Sequence, residues 1–230
     1  MLLGDISPLM IPQTFYSVAD NFILLAVPMF LMMSNILLKA GVGEDLFNFA
    51  QSWVGNFPGG LAIATIVSCS IFAAISGSSV ATAATISTVA FPAMINRGYH
   101  RNFTLGILAA GGTLGILIPP SIMLVVMGPI MEIPVIDLFA AAILPGILLA
   151  SLYAAYTTIR CMINPKLGPV LPEDMRAASM KEVWIEFFLG LVPPAALVFA
   201  ALGSILFGFA TPTEAAGCGA MGACLLYTSP

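Results

Sequence analysis

The stretch 59-GGLAIATIVSCSIFAAISGSSVATAATISTVAFPAMIN-96 contains no Asp, Glu, Lys or Arg, and the uncharged run reaches back to Leu46. One membrane crossing needs about 20 predominantly apolar residues, so a run of this length enters the membrane more than once. Its two apolar arms, Gly59 to Ile75 and Val80 to Ile95, meet at Ser76-Gly77-Ser78-Ser79. Each arm has about 16 residues, or about 24 Å of helix, short of the roughly 30 Å hydrocarbon core. A re-entrant hairpin accommodates them better than two full spans. Backbone polar groups in lipid must be satisfied within a segment or a closed barrel, and alternating strand patterns are absent, so the arms are helices.

The rest of the chain agrees with a membrane reading. Apolar residues make up 60% of its 230 positions and charged residues 8%, with a mean hydropathy of +1.04; soluble domains are nearer half apolar and a quarter charged. Seven basic and eleven acidic residues give a net charge of -4. They are scattered among loops with no basic cluster to follow a phosphate backbone, which excludes nucleic acid as a partner. Cys69, Cys161, Cys218 and Cys224 lack metal-type spacing and read as small hydrophobes. The N-terminus carries Asp5 where a signal peptide would carry a base. The chain stops inside an apolar run at Leu225 and Leu226, so it is expected to be a fragment of a longer reading frame.

Four regions follow. Residues 1–57 hold a first span, Asn21 to Leu38 with Pro28 as a kink, and an amphipathic connector from Glu44 to Phe57. Residues 58–127 hold the hairpin (58–96) and, after the basic loop Asn96 to Asn102, a span (103–127) broken at Gly111-Gly112 and at Pro119-Pro120-Ser121. Residues 128–186 contain an acid-only loop from Gly128 to Asp137, a span from Leu138 to Ile159 and a long polar loop from Arg160 to Glu186. Residues 187–230 begin a further pair of helices, Phe187 to Phe209 and one starting at Thr211. The alternation of basic and acidic loops puts 96–102 and 160–186 in the cytoplasm and 128–137 on the opposite side.

No catalytic constellation is present: His100, the one histidine, lies in a basic loop with no nearby carboxylate, and no cofactor motif occurs. The unusual feature is glycine and small polar residues at membrane depth, in the two places where helices must break. Irregular backbone is tolerated there only when it is buried in protein or lines a cavity, where freed carbonyls coordinate a cation. Ser76-Gly77-Ser78-Ser79 also offers hydroxyls and the N-terminus of the following helix, which favours an anion. Small-residue packing between helices is the plainer reading of either break alone; two in consecutive segments are harder to explain that way. Thr82 and Thr85 are secondary candidates for the same cavity. Glu214 lies between apolar stretches and is a candidate for an ion path, but Thr211-Pro212-Thr213-Glu214 has the spacing of a capping box, which accounts for it structurally.

Taken together, Ile75 to Thr85, Ala109 to Ser121 and Ala210 to Ala216 resemble the large membrane subunit of tripartite ATP-independent periplasmic (TRAP) transporters. Ala26-Val27-Pro28-Met29-Phe30, Phe57-Pro58-Gly59-Gly60 and Leu144-Pro145-Gly146 extend the resemblance over nearly the whole chain. It implies an all-α, elevator-type fold of two inverted repeats, each with a hairpin and a broken helix, of which about one is present here. It implies a sodium-driven symporter in the bacterial inner membrane, acting with a small membrane subunit and a periplasmic binding protein on organic acids such as C4-dicarboxylates, sialic acid or other sugar acids. Ser76, Gly77, Ser78, Ser79, Gly112, Thr113 and Gly115 would then hold sodium, and Ser78, Ser79, Thr82, Thr113, Pro119 and Pro120 would line half the substrate cavity. The competing class is a channel, since re-entrant hairpins also build selectivity filters.

Overall fold

A computed structural model describes residues 10–54, 59–165, 167–169, 188 and 191–228. Ten α-helices occur among them, and no strand: α1 Met10–Ala19, α2 Ala26–Lys39, α3 Val42–Val54, α4 Gly60–Ser76, α5 Ser79–Asn96, α6 Arg101–Thr113, α7 Ile122–Met131, α8 Val135–Ile163, α9 Val192–Leu206 and α10 Pro212–Thr228. Short 3-10 turns precede α2 (Phe22–Leu25) and follow α6 (Leu114–Ile116). Three stretches are long and apolar enough to cross a membrane: Phe22–Lys39, Ser79–Asn96 and Val135–Ile163. The expected residues Phe57 and Pro58, and the polar loop from 170 to 186, lie outside the described residues.

The hairpin is α4 and α5, with 17 and 18 residues and therefore about 26 and 27 Å long. Helix α4 is central. Leu61, Ala62, Ala64, Cys69, Phe72 and Ala73 are fully buried in it, because α3, α5, α6 and α8 all pack around it. Helix α3 is the expected amphipathic connector: Val42, Leu46, Phe47, Phe49 and Ala50 are buried, while Glu44 and Asp45 in its first turn are exposed. It is tied to the hairpin by Ser68, whose hydroxyl donates to the Leu46 carbonyl at 3.2 Å. On the far side α2 packs against α10, where Met33 Sδ would sit 2.7 Å from a Cβ added at Gly219.

The structure refines three sequence expectations. Pro28 is the third residue of α2, just after the 3-10 turn Phe22–Leu25 gives way to α-helix, so it lies near the start of the α-helical part and not in its middle. The loop expected from Gly128 to Asp137 shrinks to Glu132–Pro134: α7 continues through Pro129 to Met131 and closes on Glu132 in the left-handed region (φ 57°), whose amide donates to the Gly128 carbonyl. The span expected at 138–159 is a 29-residue helix. At about 44 Å it outruns the hydrocarbon core and carries Asp137 and Arg160 toward opposite membrane surfaces.

The α5–α6 loop, with Arg97 and His100, and the α7–α8 turn, with Glu132, lie at opposite ends of the α6–α7 segment. Single cysteines at exposed His100 and Glu132 are expected to react with an impermeant thiol reagent from opposite sides of the membrane, position 100 from the cytoplasm. Labelling of both from one side would reverse the assigned direction of the hairpin.

Candidate functional site

At the hairpin tip the chain leaves α4 through Gly77, in the left-handed region at φ 59°, with its amide donating to the Ala73 carbonyl. Ser78 is extended and caps α5, its Oγ accepting from the Ala81 amide at 3.5 Å. Glycine is required at 77 twice over. Side chains rarely adopt that φ, and a Cβ there would lie 2.7 Å from the Pro120 carbonyl oxygen.

The second break receives this tip. Helix α6 ends at Thr113, passes through the 3-10 turn and an irregular segment from Leu117 to Ser121, and resumes as α7. The Pro119–Pro120 peptide is cis. The Ile122 amide donates to the Gly77 carbonyl at 3.2 Å, joining the start of α7 to the tip. Three glycines of the broken helix make the close approach possible. A Cβ at Gly111 would meet Cys69 Sγ at 2.6 Å, one at Gly112 would meet Ala83 Cβ at 2.7 Å, and one at Gly115 would meet Ser78 C and O at 2.6 Å. The ends of α4, α5, α6 and α7 thus meet at one place, two C-termini that favour a cation and two N-termini that favour an anion.

Within this junction three neutral oxygens form a triangle. Ser76 Oγ and Thr82 Oγ1 are 2.7 Å apart, the Thr82 hydroxyl donates to the Ser78 carbonyl at 2.8 Å, and Ser76 Oγ lies 3.3 Å from that same carbonyl. Ser76 and Thr82 are buried. The junction sits about 20 Å along α6 from the basic loop, inside a roughly 30 Å core.

The structure brings together Ser76, Gly77, Ser78, Ser79, Thr82, Gly112, Gly115, Pro119 and Pro120, the two prolines buried. Thr113 stands apart. Its hydroxyl donates to the Ala110 carbonyl at 2.7 Å and lies 3.2 Å from the Tyr153 hydroxyl of α8. Thr85 also turns away, its methyl against Gly43 of α3. Ser121 was not singled out from the sequence, yet it is fully buried and donates across the break to the Ile116 carbonyl at 2.8 Å; its place in the Pro-Pro-Ser string was the available signal. Thr211 and Glu214 form the capping box. The Thr211 amide and hydroxyl reach Glu214 Oε2 at 2.8 and 2.9 Å, and the Glu214 amide lies 3.3 Å from Thr211 Oγ1. Glu214→Gln keeps an acceptor for the Thr211 amide and is expected to melt close to wild type. Glu214→Ala is expected to melt lower. Equal melting temperatures for the two variants would show that the cap contributes nothing.

Helix breaks docked on one another between long apolar helices make this chain an all-α polytopic membrane protein. Residues 1–229 match the family model described as tripartite ATP-independent periplasmic transporter, DctM component. The chain belongs to that family of transport permeases. It is 38% identical over 208 residues to the C4-dicarboxylate TRAP transporter large permease protein DctM of Pseudomonas aeruginosa, covering 90% of this chain and 47% of that protein. The Vibrio cholerae protein of the same name is 38% identical over 221 residues, 95% of this chain and 47% of that protein. The isethionate TRAP transporter permease protein DctMQ of Oleidesulfovibrio alaskensis is 36% identical over 206 residues, 90% of this chain and 32% of that protein. Other relatives are named for sialic acid and for ectoine. The chain spans about half the length of the first of these relatives.

Proposed function

We propose that this chain is the ion-binding half of a large permease subunit that imports an organic anion across the bacterial inner membrane, coupled to sodium. The observation that carries the reading is the buried triangle of Ser76 Oγ, Ser78 O and Thr82 Oγ1 at the junction of four helix ends. It holds no formal charge, which suits a weakly held monovalent cation better than a divalent one. The N-termini of α5 and α7 beside it favour an acidic group on the substrate. The names of the relatives support an acidic group on the substrate, a carboxylate in C4-dicarboxylates, sialic acid and zwitterionic ectoine and a sulfonate in isethionate. In this reading a small membrane subunit and a periplasmic binding protein complete the transporter, hairpin and broken helix move as one elevator body, and the rest of the full-length protein supplies the other half of the cavity.

The test is uptake by the full-length protein in proteoliposomes, with small subunit and binding protein supplied. An inward sodium gradient is expected to drive accumulation, and potassium in its place is expected to reduce uptake to the passive leak. Accumulation that persists without sodium would overturn the coupling. Gradient-insensitive ion conductance would favour the channel class.

A further inference from the structure

Between α6 and α8, at the end of the molecule that carries Arg97, lies a cavity of about 440 Å³. Each wall is one helix face with the same spacing, Phe103, Gly106 and Ala110 from α6 and Tyr153, Tyr156 and Arg160 from α8. Gly106 decides what kind of space this is. Gly111, Gly112 and Gly115 further along the same segment are each pressed against the hairpin, but a Cβ at Gly106 would meet nothing within 4 Å. Glycine in a helix interior costs about 1 kcal/mol relative to alanine, and among the described residues no neighbour fills the space beside Gly106. The α6 wall of the cavity is open at this position.

The lining is polarised. Arg160 stands at one end with its guanidinium 6.0 Å from the centre of the Tyr156 ring, no acidic residue among the described residues lines the cavity, and Phe103, Gly106 and Ala110 carry the wall away from the charge. Exposed Leu105, Leu152 and Ile159 continue the apolar surface on the same two helices. An anionic head joined to an apolar body matches both ends. A free phosphate would use only one of them. We propose that this cleft seats an anionic phospholipid of the leaflet on the Arg97 side, its head group at Arg160 and an acyl chain along Gly106 and Ala110.

The test is native mass spectrometry of the full-length protein titrated with dioleoyl phosphatidylglycerol or dioleoyl phosphatidylcholine. Phosphatidylglycerol is expected to be retained in preference to phosphatidylcholine. Arg160→Ala is expected to weaken phosphatidylglycerol roughly fivefold, as for loss of one basic residue at an anionic surface, and to leave phosphatidylcholine unchanged. Gly106→Leu is expected to weaken both lipids by filling the apolar end. Unchanged binding in both variants would overturn the site, and displacement of the lipid by millimolar glycerol 3-phosphate would show that the head group alone is recognised. Should Gly106→Leu fail to fold, the comparison of Arg160→Ala with Arg160→Lys decides: Lys is expected to restore phosphatidylglycerol binding, and loss in both variants overturns the assignment. None of these readouts depends on sodium coupling.

Discussion

Gly115→Val in the full-length protein is expected to lower uptake at least tenfold while leaving the protein inserted in the membrane. The added Cβ would lie 2.6 Å from Ser78 C and O and 2.8 Å from Ser79 N. These are backbone atoms on the partner segment, so no side chain can swing aside to make room. Overpacking of this kind typically costs about 1–3 kcal/mol, and a displacement of the tip by even about 1 Å separates groups that must act together. Gly203→Ala in α9, where a Cβ meets nothing within 4 Å, is the matched control and is expected to transport like wild type. Wild-type uptake by Gly115→Val would show that this approach is absent from the working protein.

The paired substitution Ser76→Ala with Thr82→Val is expected to raise the sodium concentration for half-maximal uptake about tenfold, a loss of about 1.4 kcal/mol of ion binding. Both hydroxyls are removed together because each is the other's partner at 2.7 Å, and either single change would leave a buried hydroxyl short of a bond and add a penalty unrelated to the ion. Thr113→Val, whose hydroxyl faces Tyr153, is expected to shift the sodium dependence less than twofold. The reverse ranking would place the ion on the other side of α6. Uptake against external sodium in proteoliposomes reads both variants.

The positions of the two breaks were legible because their signals are local. An uncharged run too long for one crossing, interrupted by Ser-Gly-Ser-Ser, leaves few ways to satisfy the backbone in lipid, and the structure ends α4 at Ser76 and starts α5 at Ser79. Which face of α6 meets the hairpin was less visible. Successive residues are about 100° apart around a helix, so packing Gly111, Gly112 and Gly115 against the hairpin turns Thr113 toward α8. The glycines themselves held that information, since close approach on their side leaves no room for a neighbouring threonine. The loop expected from Gly128 began too early. Pro129 sits inside α7, where proline is tolerated in membrane helices because neighbouring groups re-satisfy the freed backbone. The cavity beside Gly106 had no sequence signature, because it depends on how far α8 stands from α6.

The tip and the break that receives it are neighbours in the order of synthesis as well as in space. Ile122 donates to Gly77, 45 positions earlier (122 minus 77), whereas the bond from Thr213 to the Phe22 carbonyl, where α10 meets the start of the first span, joins residues 191 apart. At roughly 5–20 residues per second, the broken helix that receives the hairpin tip is made within seconds of it, and α2 waits several times longer for the helix that covers Met33. A nascent chain halted near residue 165 is therefore expected to hold its hairpin already seated on the broken helix, with α2 still open to the lipid on the side that α10 later closes.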